Sequence, residues 1–265
     1  MNKLYVGADR KIELPTGGYL YIHDEVPALE DWHTPPYFEP KTHSIDLLDG
    51  MDYARACDFV DALTASMPGG ENTLTKEEAG VILLDALISK PASLETMIEE
   101  SRDPMREKAR RMIRRLLLSP VLRKVLCGTP NFSFGPNSAN LARINRAELG
   151  NFDATFLGRI LIGQFKGQIV APAFGPYARE SHVDLIEQGR LIAGVNTLDE
   201  LPPRFRQRML LIKDKVAAGA TFEDAETLAK YAGLRPDFLR EDNDYNRFIS
   251  GAMGGGAGEK SRNGS

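Results

Sequence analysis

Residues 167–201, GQIVAPAFGPYARESHVDLIEQGRLIAGVNTLDEL, read as strand, helix, strand and turn, and this order constrains the chain more than any other stretch. Two apolar runs, 168–174 and 190–196, are separated by a helix-length segment, the pattern of parallel strands joined by a crossover. The first run ends in Ala173, Phe174 and Gly175 with no acid. The second ends in Asn196, followed by Thr197, Asp199 and Glu200. The C-terminal ends of parallel strands are where α/β folds bind ligands, which makes these residues pocket candidates. A strand-to-helix turn capped by Asp199 explains them equally well.

A chain of 265 residues with 42% hydrophobic content has room for a sizeable core. Its net charge of −4 gives no global attraction to nucleic acid or to an anionic membrane, so any such contact is local. Cys57 and Cys127 are far apart and sit in helical patterns, which supports neither a disulfide framework nor a zinc site. No stretch approaches the roughly 18 apolar residues of a membrane span, and the N-terminus lacks a signal-like apolar segment. The expectation is a reduced, cytoplasmic chain without a membrane partner.

Along the chain, Leu4 to Val6 and Tyr19 to His23 read as two short strands joined by a tight connection around Pro15, Gly17 and Gly18. Residues 25–40 are rich in Pro and acids and predict an irregular excursion around Trp32 and Tyr37. Helices are predicted at 52–67, at 75–89 with Thr75 as N-cap and Glu78 as its capping-box partner, and at 93–101. Two more follow at 104–118 and 120–126, each with Pro in its first turn. A short strand is expected at 141–145 and a buried helix at 151–164, with further strands at 168–174, 190–196 and 209–213. After Phe248 the tail is Gly/Ser-rich and reads as disordered over 249–265.

Taken in order, several of these pieces resemble the HerA/VirD4-type (FtsK-like) family of RecA-fold P-loop ATPases, which pump or process DNA. YLYIHDE (19–25) looks like that family's second core strand, and HSIDLLDG (43–50) is similar to the segment that follows. SPVLRKVLC (119–127), the strand at 141–145 and the helix containing Leu157 and Gly158 are similar to the stretch before Walker B. GRLIAGVNTLDELP resembles the strand whose polar tip senses the γ-phosphate; Asn196 fits the first tip position and Thr197 replaces the second. FEDAETLAKYA (222–232) resembles a helix near the family's C-terminus. The resemblance implies an α/β fold, a mostly parallel RecA-like sheet with flanking helices and an N-proximal helical insertion at about 52–127. It also implies one RecA-like domain over 1–248.

The departures bear on chemistry. A P-loop needs a strand, a Gly-rich turn and Lys-Ser/Thr opening a helix. GADRKIELPTGG (7–18) offers glycines without that Lys-Ser/Thr, and GGGAGEKS (254–261) inserts Glu259 and has neither strand before it nor apolar helix after it. With no acid at Ala173 to Gly175, Walker B is missing too, and independent ATP hydrolysis is not expected. Asn196, Thr197 and Asp199 then read as the remnant of a nucleotide pocket. No catalytic set, metal or cofactor is assigned.

The densest positive charge is Arg102, Arg106, Arg110, Arg111, Arg114, Arg115, Arg123 and Lys124. Helical spacing puts Arg106, Arg110 and Arg114 along one face with Arg111 and Arg115 beside them, opposite Met112 and Leu116. Such a face tracks a phosphate backbone, or is a solvated surface partly paired with Glu99, Glu100 and Glu107. His23, Asp24 and Glu25, with His33 and His43 nearby in sequence, are residue types that ligate metals, though alternating strand faces separate Asp24 from its neighbours. Ser181, His182 and Asp184 have no relay spacing. The resulting expectation is a non-hydrolysing DNA-handling or assembly protein of phage or mobile-element type, contacting DNA through the basic helix, with a protein partner or homo-oligomer. The alternatives are an ATPase subunit completed in trans and a purely structural or interaction protein.

Overall fold

The structure, a computed structural model, describes residues 2–7, 12–24, 37–66, 73–89, 91–99, 102–135, 137–232 and 246–249. The chain forms two compact units, Met1–Gly17 with Gly167–Ser265, and Gly18–Lys166. Each is built of mostly parallel strands with flanking helices, the α/β fold that the sequence predicts, and the second unit carries the helical insertion.

In the first unit the strand order is β5 (Gln168–Ala171), β6 (Leu191–Val195), β1 (Lys3–Val6), β7 (Asp214–Ala217) and β8 (Asn246–Ile249). All neighbours are parallel except β7 and β8. The sequence LIAGV of β6 is buried at every position, the near-continuous apolar run of a strand covered on both faces. The register pairs Lys3 with Ile192 and Asp214, so β1 is central. Helices α7 (Val183–Glu187), α8 (Pro203–Leu211) and α9 (Phe222–Ala232) accompany these strands.

In the second unit β4 (Ala139–Arg143) lies between β2 (Tyr19–His23) and β3 (Tyr37–Phe38), parallel to both. Between β3 and β4 come α1 (Tyr53–Ser66), α2 (Thr73–Ile88), α3 (Pro104–Leu117) and α4 (Pro120–Cys127), the helical insertion. After β4 come α5 (Arg146–Leu149) and α6 (Asn151–Gln164). Helix α6 has the predicted bounds and packs on α1, where Phe59 meets Phe156 edge-on at 5.6 Å between ring centroids. Asp103, Ser119 and Asn145 cap α3, α4 and α5 by accepting from Met105, Leu122 and Glu148 N–H groups, and Pro opens α3 and α4.

Several boundaries differ from expectation for identifiable reasons. The first two strands form as expected, β1 held by β6 and β7, and β2 by β4. Residues 209–213 are not a strand. Met209 repeats the buried position of Phe205 one turn on, so α8 continues to Leu211, and the strand begins at Asp214. Residues 93–99 form turns instead of a helix; the Ser93 hydroxyl accepts from Thr96 N at 3.3 Å and bonds its hydroxyl at 2.9 Å, but no helix propagates from that start. Helix α2 starts at Thr73, which places Thr75 inside it. The strand expected at 141–145 is β4, two residues earlier, since Asn145 is spent as a cap. Within the excursion expected at 25–40, Tyr37 and Phe38 add a short strand, with Phe38 buried against Phe132 and Phe134. Glu25, Trp32, His33 and residues 250–265, which include GGGAGEKS, lie outside the described residues.

Candidate functional sites: a strand edge and a basic helix

At the C-terminal ends of β5 and β6 the chain turns sharply. Pairing continues one bond past β5, where Phe174 N donates to Gly194 O at 2.8 Å. That bond fixes Phe174 inward. Its ring is wholly buried, 5.5 Å from Phe205 and 5.7 Å from His182 between centroids. Arg179 donates to His182 Nε2 from Nε at 3.3 Å, so Nε2 is the acceptor and the ring proton sits on Nδ1. Arg179 and His182 are themselves buried.

The acids near this edge have structural employment. Both Glu180 oxygens accept from the first turn of α8, at 3.3 Å from Arg204 N and 3.2 Å from Phe205 N. Asp199 is ion-paired with Arg206. Glu200 leans over Gly175 so closely that any side chain at 175 would run into its carboxylate. Asn196 is exposed immediately past β6, and Thr197 is half-buried. Sequence reasoning missed Asp224, whose Oδ1 accepts from Leu198 N at 3.1 Å while Oδ2 is buried. Burial, more than any neighbour, pushes its carboxyl above the usual carboxylate range. Its signal was an acid on the stripe shared by Ala225, Leu228 and Ala229.

The exit of β1 is equally closed. Gly7 has φ 110° and a Cβ there would overlap the Ala218 carbonyl. Residues 12–18 carry no helix. Beneath, Lys215 is fully buried, and its ammonium donates to Ile212 O. Desolvation pushes it down to about 8, with Asp214 acting in the opposite direction. Lys3 bridges toward Asp214 at 3.7 Å and toward Glu13.

In the other unit α3 buries Ala109, Met112, Ile113 and Leu116. Arg106, Arg111, Arg114 and Arg115 are exposed; Arg110 is half-buried and meets Glu107 at 3.5 Å. At 100° per residue the five predicted arginines occupy the outward half of the helix, and Arg110 and Arg114 also border a cleft of about 310 Å³. Its apolar lining comes from Leu94, Met97, Ile98, Ile113, Leu117 and Leu118.

The remaining sequence candidates are separated. His43 Nδ1 accepts from Glu39 N at 2.9 Å and its ring lies tilted against Phe132, 4.9 Å between centroids. Asp24 faces Arg146 at 3.9 Å, and His23 lies beside Tyr21. Among the described residues no three His, Cys, Asp or Glu side chains converge on a point that would hold a metal. His182 is buried, whereas Ser181 and Asp184 are exposed, so these three make no relay. Among the described residues no helix is long and apolar enough to cross a membrane.

No family model and no curated protein matches the chain. Among solved structures it is similar to the bacterial conjugative coupling protein TrwB, in the unbound monoclinic form of TrwBdeltaN70. The two are 13% identical over 94% of this chain and 82% of that one, at a TM-score of 0.59. The plasmid coupling protein TrwB bound to the ATP analogue ADPNP is 13% identical, over 94% and 77% of the chains, at 0.52. The GTP-analogue complex is 14% identical over 94% and 78%, at 0.51. The chain therefore shares the parallel α/β fold of the TrwB coupling protein.

Proposed function

We infer that the chain is a non-hydrolysing, RecA-like protein of DNA handling or assembly, of the kind carried by phages and mobile elements, and that it contacts DNA through α3. The observation that carries this reading is Phe174. Phosphoryl transfer depends on a positioned metal and on groups that stabilise γ-phosphate charge. At the strand end where the resembled ATPases hold their acid, this chain buries an aromatic ring between His182 and Phe205. Glu180 and Asp199 nearby are engaged in capping and ion pairing. The β1 exit at Gly7 presses on Ala218 and no helix follows it in residues 12–18, which supports the loss of a phosphate loop. The coupling protein with this fold is bound to nucleotide analogues in its own structures. On our reading this chain retains the sheet as a frame and works through a surface.

That surface is Arg106, Arg110, Arg111, Arg114 and Arg115, projected from one helix at spacings that follow a phosphate backbone. Asn196, exposed at the β6 exit, favours a second reading in which a partner completes a nucleotide site in trans.

Titration of the purified chain with labelled duplex DNA and labelled ATP, at low and moderate salt, separates these. The first reading expects DNA affinity that falls steeply with salt and no ATP binding. Tight Mg-dependent ATP binding by the chain alone would overturn it. ATP turnover appearing only in a stable hetero-oligomer would establish the second reading, and binding of neither ligand would leave a structural or interaction protein.

A further inference from the structure

Two surfaces of the helical insertion carry opposite charge and matching apolar relief. The first is the cleft beside α3, where Leu94, Ile98 and Leu117 line the interior and Arg110, Arg114 and Arg123 stand at its border. Among the described residues the ionised side chains lining it are these three arginines and Glu95, which bonds Arg123 at 2.7 Å. Arg110 also meets Glu107 at 3.5 Å. Among the described residues the lining thus presents three guanidiniums and one carboxylate. Leu118, 79% exposed, extends the apolar surface at the mouth.

The second surface is the outward face of α2. Helical spacing aligns Glu77, Val81, Asp85 and Ile88 in one stripe with Glu78 at its side, while Ala79, Leu83 and Leu87 point into the core. Val81 is 58% exposed and Ile88 40%. These two aliphatic side chains stand two turns apart, about 10 Å along the axis, between carboxylates. An amphipathic helix with spaced apolar anchors is what an apolar groove accepts.

We propose that α2 of one copy of this chain seats in the α3 cleft of a second copy. Val81 and Ile88 enter against Leu94, Ile98 and Leu117, and Glu77, Glu78 and Asp85 meet Arg110, Arg114 and Arg123. A second copy is the occupant because the complementary charge and apolar spacing are both written on this chain. Since the two faces differ, the contact is head-to-tail: a dimer made this way keeps one unused face of each kind and adds further copies. One helix in a short cleft buries an area at the low end of specific interfaces, below about 1,200 Å² in total. Association through so small a contact is expected to be weak, and its charged pairs make it weaken further with salt.

This inference goes beyond the DNA reading and shares only Arg110 and Arg114 with it. Sedimentation velocity without nucleic acid, from micromolar to submillimolar concentration, tests it. The wild-type mass should rise with concentration. Glu77→Lys with Asp85→Lys should stay monomeric, as should Arg114→Glu with Arg123→Glu; all four positions are exposed, and unchanged circular dichroism and melting would verify the fold. Combining all four substitutions in one chain swaps both faces and should restore association. A wild type that is monomeric throughout, association indifferent to either pair, or no recovery in the combined variant would each overturn the proposal. DNA binding is read separately, from Arg106, Arg111 and Arg115 variants, so either idea can fail alone.

Discussion

The β5–β6 edge and helix α3 are both rich in polar groups, and they dispose of them in opposite ways. At the strand edge Arg179 and His182 are buried against each other, Glu180 is consumed as a cap and Asp224 is enclosed beneath Leu198. On α3 the apolar residues turn inward and four of five candidate arginines stay exposed. A group already holding its neighbours in place has little left with which to move a proton or grip a metal. A guanidinium at the surface keeps its charge within reach of a partner whatever it bonds locally. Under the function proposed above, activity is to be sought on the helix and not at the edge where α/β proteins usually bind their ligands.

The largest effect expected from breaking this contrast is on the helix. Replacing Arg106, Arg110, Arg111, Arg114 and Arg115 together by Glu should lower DNA affinity by roughly a thousandfold or more at moderate salt, with melting unchanged, in fluorescence anisotropy. The wild-type salt slope should approach −4 on logarithmic axes, following roughly −0.9 per neutralised phosphate. At the strand edge Phe174→Ala should cost about 3–5 kcal/mol in urea unfolding by opening a cavity beside His182 and Phe205, without changing the affinity of the helix for DNA.

Lys215 offers a pH signature of the same internal economy. Its folded-state amine titrates near 8 instead of 10.5, so the unfolded chain binds more protons between those values. Its contribution to stability therefore rises with pH across that window. Lys215→Met should remove that rise and, by eliminating a buried charge, add on the order of 3 kcal/mol near neutral pH, seen in urea midpoints over a pH series. Glu180→Ala should cost about 1 kcal/mol by uncapping α8, the smallest of these effects, measurable as a shift in melting temperature.

Much of the fold was legible because periodicity and caps agree with packing. Helix α6 is apolar around most of its circumference and is buried, and Pro104 and Pro120 mark the starts of α3 and α4. What misled was charge inside a strand. In β7 the sequence DKVA has two ionised residues of four, yet all four positions are buried because Lys3 approaches Asp214 and Ile212 O receives the Lys215 amine. Those partners are distant in sequence or created by the bend before the strand, so no local window reveals them. The arginines of α3 were readable from spacing alone, whereas the cleft they border depends on how residues 94–98 pack on that helix. The exclusion of a relay at Ser181, His182 and Asp184 followed from spacing, but the partnership of Arg179 with His182 needed the turn between them.

The enclosure of Lys215 has a practical consequence for watching this molecule move. An amine-reactive reagent labels surface lysines at once, but can reach this one only when the β7 region opens. The rate at which that single position acquires a label, followed by peptide mass spectrometry, becomes a clock for local opening, with exposed Lys124 and Lys230 on the same chain as internal standards.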